Sequence, residues 1–516
     1  MPGLDRLSPR QIWLGYIAMI IGNFMAILDI QIVAGSLREI QAGISASADE
    51  IAWIQTAYLI AEVIAIPLSG LLGRAISMRK LFAFSAAGFT LASLACAFAW
   101  NIQSLILFRT LQGFLGGAMI PTTMAALFIL FPEAKRGPAI VLVGMVSTLA
   151  PSIGPTLGGW ITEHMGWHWL FLINVVPGFA CAALVWTLSP LRQEEPELLK
   201  RLDLAGLVGM ALFLGALEFV LEEGPKHDWL ADPAVLKMAI VMAAGGALFF
   251  WRAFTATSPI VDLKVFANRN FLIGAAVSIV AGFGLYGSIY LLPLFLGGVR
   301  GYSTLQIGEV MMVTGIAMFF SAPIMGKLQE KLDLRVMLGL GIALTALGMW
   351  ENAKLTADSG FWELALPQVL RGAGMMMCMI PMTGLALGTL PPERVQNASG
   401  LFNLTRNLGG AIGLAIINSL IMSGQAMHRT ELATAVSSGH ADAQAWLDQT
   451  AAGLAAQGVA DPNAAALAQL AGIVERESLV MALNNVFVVL ALLFCVLLPL
   501  IMFTRRAAPA APGAGH

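Results

Sequence analysis

Charge is scarce in this sequence. Asp, Glu, Lys and Arg make up 12% of its 516 residues, against 58% hydrophobic residues and a mean hydropathy of +0.79. Soluble domains carry roughly 25% charged residues, so water is not the solvent for most of this chain. An excess of either sign is missing too. With a net charge of −2 no nucleic-acid partner is expected. The four cysteines, Cys96, Cys181, Cys378 and Cys495, lie in apolar runs without metal-site or redox spacing, and read as small core residues. No G-x-x-x-x-G-K-[ST] phosphate loop occurs, which excludes ATP hydrolysis through a P-loop. A nucleophile-base pair, a metal cluster, a ring of like charge and a filter sequence are likewise missing, which argues against an enzyme, a resident cofactor or metal, and a channel. Arg6 and Arg10 precede the first apolar run, but no small-residue cleavage site follows, so that run is expected to stay as a membrane span.

What the sequence has instead is long apolar runs. Helices are predicted over residues 12–34, 51–70, 81–100, 104–131, 138–159, 168–189, 204–222, 234–254, 270–297, 304–325, 336–352, 364–390, 397–423 and 479–503. Each is near the roughly 20 residues that a bilayer core of about 30 Å requires, making about fourteen crossings. A β-barrel is excluded because runs such as Leu81 to Trp100 do not alternate in character. Basic residues gather in alternate connections, among them Arg74, Arg79, Lys80, Lys135, Arg136, Lys200, Arg201, Arg505 and Arg506; the other connections hold only Arg38, Lys226, Arg300, Lys354, Arg429 and Arg476. Lys and Arg are retained on the cytoplasmic side, so both termini are predicted to be cytoplasmic. Residues 424–478, rich in Ala and Gln, are too polar to span and are expected to form one or two short helices outside the membrane. They read equally well as a docking site and as a solvated hairpin.

An internal repeat divides the chain. Arg109-Thr-Leu-Gln112-Gly113 is followed by Pro121 and then Pro132-Glu133; Gln368-Val-Leu-Arg371-Gly372 is followed by Pro381 and then Pro392-Glu393, with the same spacing from the helix proline to the loop Pro-Glu in both. Paired halves with a site near the midplane are the ground plan of secondary transporters. The predicted domains are a six-helix bundle over 1–203, two additional helices over 204–255, and a second six-helix bundle over 256–516 that includes segment 424–478.

Ionisable residues inside the runs carry the chemistry, since each costs about 2.5–3.5 kcal/mol at a helix centre. They are Asp29, Glu62, Arg109, Glu218, Glu309, Arg371 and Arg406. A carboxylate in a dry cavity can take a proton from one side and release it to the other when a guanidinium nearby favours release. Asp29, Glu62, Arg109, Glu218 and Arg406 are the predicted proton-coupling set; the alternative is that acid and arginine simply fix helix packing. In the fifth run, Pro151, Gly154, Pro155, Gly158 and Gly159 predict a kinked gating helix. The G-x-x-x-G pairs Gly113/Gly117, Gly154/Gly158 and Gly409/Gly413 predict close helix approach. Gly282-Phe-Gly284-Leu-Tyr-Gly287 fits a dinucleotide fingerprint but lies within a span and reads as a packing face. His164 and His168 lack a third ligand and predict no metal site. Met375-Met376-Met377-Cys378-Met379, with Tyr58, Tyr286 and Tyr290, could line an adaptable cavity or face lipid.

Several motifs together resemble the major facilitator superfamily, specifically its fourteen-span drug:proton antiporter branch, close to EmrB-type exporters. Leu28-Asp29-Ile-Gln-Ile32-Val33 resembles the first-span acidic motif, Leu105 to Gly117 the fourth-span proton-coupling motif, and Gly154-Pro155-x-x-Gly158-Gly159 the antiporter motif. Gly166 to Gly178, with Asn174, resembles the sixth-span signature, and Asn403-Leu-Thr405-Arg406 the thirteenth. One departure stands out: in the loop after the second span, Arg74 replaces the usual acid and Ser77 the usual second glycine. The resemblance implies a fold of two six-helix bundles plus two central helices, in the bacterial inner membrane. It also implies proton-gradient-driven export of amphipathic drugs from a cavity lined by Gln55, Tyr58, Gln112, Tyr286, Tyr290, Arg371, Met376 and Asn403. A periplasmic adaptor and an outer-membrane channel are its implied partners, alongside membrane lipids. A dedicated exporter of one siderophore, fatty acid or aromatic acid on the same fold is the alternative.

Overall fold

The structure is a computed structural model and describes residues 8–132, 136–200, 202–257, 259–329, 331–437 and 441–503. Of the residues singled out above, Arg6, Glu133, Lys135, Arg201, Arg505 and Arg506 lie outside these. Among the described residues every regular element is a helix, because in a bilayer only a helix satisfies its own backbone within one segment.

The long helices are α1 (Pro9–Ala34), α2 (Ala48–Ala75), α3 (Met78–Ala97), α4 (Ile102–Leu130), α5 (Arg136–Met165), α6 (Trp169–Leu188) and α7 (Leu204–Glu223), followed by α8 (Pro233–Thr255), α9 (Arg269–Gly298), α10 (Thr304–Leu328), α11 (Leu334–Asn352), α12 (Phe361–Leu387), α13 (Pro392–Ser437) and α14 (Pro462–Ile501). Thirteen are apolar enough to span singly, and α5 joins them as a broken span bent by 48° at its prolines. Polar caps set the starts: Ser8 with Gln11, Ser47 with Glu50 and Ser303 with Gln306 form capping boxes that satisfy the orphan N–H groups of the first turn.

In the first half α1 packs on α5 and α6, α2 on α4, and α3 on α4 and α6; in the second, α9 packs on α13, α10 and α11 on α12, and α14 on α11 and α13. The added pair α7 and α8 packs together, and α7 also lies against α2 and α13. The outer face of α8 shows Ile240, Trp251 and Phe254, apolar side chains suited to lipid. The halves touch along α5 and α10 and along α2 and α13. Toward the ends where α1 begins and α14 stops the second seam closes tightly, with α4 joining it: Ser399 Oγ donates to the Pro121 carbonyl of α4 at 2.8 Å, and a Cβ at Gly70 would stand 3.1 Å from the Asn397 Cα.

Segment 424–478 holds one separate helix of the one or two expected, and the rest of its helix belongs to the neighbouring spans. α13 continues through it to Ser437, α14 begins at Pro462, and only Ala441–Ala456 is a separate helix. The cause is local: its Ala- and Gln-rich composition favours helix, so α13 propagates into water. At 1.5 Å per residue the 46 residues of α13 run about 69 Å, more than twice the bilayer core. Gln425 donates to Glu475 at 2.7 Å and Asn485 meets His428 at 2.8 Å, tying the two extensions together.

The loop after α2 is latched differently from the family pattern. Lys80 pairs with Glu194 at 2.8 Å, and the Arg79 guanidinium donates to the Trp186 carbonyl at 3.0 Å. Ser77 sits at φ 76° and ψ 146°, a region that favours glycine, and caps the Lys80 N–H only at 3.4 Å. Ser77→Gly is therefore expected to raise stability by about 1 kcal/mol, read as a higher unfolding midpoint of the purified protein. An unchanged or lower midpoint would show that the cap outweighs the backbone strain.

Candidate functional site

Two glycines decide where the fourth helix lies. A Cβ at Gly113 would overlap the Tyr58 carbonyl, and one at Gly117 would stand 2.8 Å from the Glu62 carbonyl, so α4 rests directly on the backbone of α2. One turn before Gly113, Arg109 therefore reaches the Ile54 carbonyl, to which its Nε donates at 3.2 Å. Its guanidinium lies 4.2 Å over the Tyr58 ring, a favourable cation–π contact in a dry site.

Asp29 meets this arginine from α1. Both side chains are 0% exposed and pair at 2.5 Å from Arg109 Nη1 to Asp29 Oδ2. Asp29 Oδ1 accepts from Asn174 Nδ2 at 2.8 Å and from Gln112 Nε2 at 3.0 Å, and Gln112 Oε1 accepts from Arg109 Nη1 at 2.8 Å. Asn174 also donates to Ser93 Oγ at 3.1 Å, and that hydroxyl donates to the Phe171 carbonyl at 2.9 Å. Asn174 stands where α6 is interrupted, between Leu172 and Val175, and the interruption turns its amide toward Asp29. Five helices, α1, α2, α3, α4 and α6, thus supply one dry, charge-balanced cluster.

The proline- and glycine-rich part of α5 leans on the same helix. A Cβ at Gly158 would stand 2.7 Å from the Ile32 carbonyl, one at Gly154 would overlap Gln31, and Gly35 packs on the Pro155 Cα. Pro151 is buried at the bend, and Gly159 accepts a bond from the Thr162 hydroxyl at 3.0 Å. The bent helix therefore touches α1 within a turn or so of Asp29.

A second group forms between the halves. Glu62 of α2 is within Coulombic reach of Arg406 on α13, and Tyr286 of α9 is within reach of Glu62, Arg406 and Glu218 of α7. Glu62 and Arg406 do not pair directly; Arg406 Nη2 donates to Asn403 Oδ1 at 2.8 Å, and Asn403 Nδ2 donates to the Ser399 carbonyl. Glu218, 5% exposed, brings one of the two added helices into this group.

The remaining predicted residues scatter. Tyr58 floors the Asp29 cluster, its hydroxyl enclosed without a partner, rather than lining an open cavity. The amide oxygen of Gln55 is buried and unpartnered. Met375 to Met379 are all buried in protein rather than facing lipid, with Met376 against Gly144 of α5 at the seam between halves. Tyr290 is 37% exposed and lies near Glu222 and Lys226, one turn beyond Tyr286 on α9. Arg371 lies apart, bonded to Thr314. Glu309 is exposed. Gly282 packs on the Arg406 carbonyl and Gly284 on Phe494, as expected of a packing face. Among the described residues no three His, Cys, Asp or Glu side chains converge as a metal site. The sequence reading passes over Ser93 and treats Asn174 only as a motif residue; a lone asparagine inside an apolar run is the signal that points to it.

Residues 19–414 match the model of the Major Facilitator Superfamily. The chain is 49% identical over 427 residues to the colistin resistance protein EmrB of Acinetobacter baumannii, covering 83% of each chain. It is 31% identical over 511 residues to the multidrug export protein EmrB of Escherichia coli, covering 99% of this chain and 98% of that one. Its fold is similar to that of the human organic anion transporter TETRAN, with a TM-score of 0.58 at 12% identity over 96% of this chain and 100% of the other. With its helical spans matched by the family over most of their length, the chain belongs to the Major Facilitator Superfamily and is a multi-pass inner-membrane transporter rather than an enzyme.

Proposed function

We propose that this protein is a proton-driven exporter of hydrophobic and amphipathic compounds, with both termini in the cytoplasm. The observation that carries the reading is the dry Asp29–Arg109 pair against the bent α5. Protonation of Asp29 removes the charge that holds Arg109; the guanidinium keeps Gln112, the Ile54 carbonyl and the Tyr58 ring as partners. Asp29 and α1 are then released relative to α4, and α5, seated on Gln31 and Ile32, moves with α1. Such a coupled shift of packed elements is the physical content of alternating access. Glu62, Glu218 and Arg406, set between the halves, pass the charge change to the seam that must open.

The energetics suffice. One charge crossing about 150 mV releases roughly 3.5 kcal/mol, enough for a concentration ratio of a few hundred. The proton gradient is the energy source, and no bound cofactor is required. Relatives named for colistin resistance and multidrug export support efflux as the direction and small amphipathic molecules as cargo. The helical projection of α13, Ala441–Ala456 and α14 suits docking of a periplasmic adaptor, which would connect the transporter to an outer-membrane channel.

Purified protein in liposomes, given an inside-acid or inside-alkaline pH gradient, tests this directly. Several unrelated amphipathic dyes should compete for transport in the gradient's direction and stop when it is collapsed. Transport of a single compound without competition would replace this reading with a dedicated exporter, and transport indifferent to the gradient would remove proton coupling.

A further inference from the structure

The two halves treat their repeated arginine differently. Gly372 rests on the Thr314 carbonyl of α10, where a Cβ would stand 2.7 Å away, just as Gly113 rests on the Tyr58 carbonyl of α2. The helix contact is thus the same in both halves, and Gln368 and Arg371, four and one residues before Gly372, stand at the positions that Arg109 and Gln112 hold before Gly113. What the second half lacks is the acid. α9 contains no Asp or Glu, Glu309 on α10 is exposed, and Glu363 on α12 is exposed at the helix start, bonded to the Gly360 N–H at 2.9 Å. Among the described residues no carboxylate pairs with Arg371.

Its surroundings are otherwise built. Arg371 is 3% exposed; its Nη2 donates to Thr314 Oγ1 at 2.8 Å, and that hydroxyl donates to Gln368 Oε1 at 2.7 Å. Arg371 Nη1 and Gln368 Nε2, both donors, are buried without a partner. A buried guanidinium left without a counter-ion is costly, and two unmatched donors add to that cost. Beside Arg371 opens a cavity of about 10 Å³ whose lining includes Ser288, Met311, Thr314, Met318 and Met375, room for one oxygen-sized group. Three of its nine lining residues are methionines, whose unbranched side chains rotate aside readily.

We propose that Arg371, with Gln368 and Thr314, is a binding site for the carboxylate head of a single-chain amphipath. The carboxylate takes the place in the second half that Asp29 holds in the first, accepting from Arg371 Nη1 and Gln368 Nε2, while Met311, Met318 and Met375 swing aside for its chain. The proposal deepens the export reading by assigning an anionic class of cargo and rests on it only for transport; binding stands by itself. The amphipath and not inorganic chloride is the occupant, because the methionine lining suits a hydrocarbon chain.

The test measures binding of octanoate, octyltrimethylammonium and chloride to the purified full-length protein at pH 7.5, where a carboxylic acid of pKa about 4–5 is ionised. Wild-type protein should bind octanoate in preference to the cation, and chloride should compete weakly. Arg371→Gln should lower the octanoate-to-cation affinity ratio at least about tenfold, the size expected for a lost charge-assisted bond. Ser288→Asp, which supplies an acid inside the same cavity, should lower it by a similar factor without removing Arg371. An unchanged ratio in both variants, or chloride displacing octanoate at equal concentration, would overturn the proposal. Failure of the export reading would show instead as wild-type liposomes that move no dye, which leaves the octanoate comparison intact.

Discussion

Asp29→Asn is expected to reduce proton-driven export by about a hundredfold or more, the scale on which a positioned proton-transfer group contributes, while the protein remains folded in the membrane. Asparagine keeps the shape but cannot take up and release the proton. It also cannot satisfy its neighbours at once: if its oxygen accepts from Arg109, its amide nitrogen faces Asn174 and Gln112, both donors in the native cluster. Arg109 retains the Ile54 carbonyl, Gln112 and the Tyr58 face, so the helices stay together. A pH jump on proteoliposomes of the variant checks this. Wild-type rates would remove Asp29 from the mechanism.

Arg109→Ala is expected to be the most destabilising single change in the first half, by about 3–5 kcal/mol, because it leaves a buried carboxylate without its counter-charge. It also strips the Tyr58 ring of its cation and opens a void beneath it. The double variant Asp29→Asn/Arg109→Ala removes both charges together and should recover about 2–3 kcal/mol of that loss while still failing to export. Unfolding midpoints of the two single variants and the double variant in detergent measure the coupling. Losses that simply add would mean that the two residues do not act as a pair, despite their contact in the structure.

Much of the architecture could be read directly from the chain. All fourteen apolar runs became helices, their starts near polar caps such as Ser8, Ser47 and Ser303. The repeat around Arg109 and Arg371 reappears as matching glycine contacts at Gly113 and Gly372. Asp29 and Arg109 stood out individually because charge inside an apolar run is conspicuous. Their partners did not: Asn174 lies 145 residues from Asp29, and Glu62 comes within Coulombic reach of Arg406 only because α2 packs on α13. The reach of α13 into the outer segment was hidden for a related reason, since nothing in the composition of residues 424–437 says whether a helix there is new or continues from the span before it.

Hydropathy and charge by themselves determined that this protein is a multi-span helical bundle with buried ionisable groups. In lipid each helix closes its own backbone hydrogen bonds, so a span is a local property of about 20 residues. Tertiary structure alone decided that Asp29 has a counter-ion while Arg371 has none among the described residues, that Tyr58 lies beneath a guanidinium, and that Glu218 joins the seam between halves. Those outcomes depend on which helix faces meet, and the faces are chosen by glycines whose contacts lie on other helices, far away in the chain.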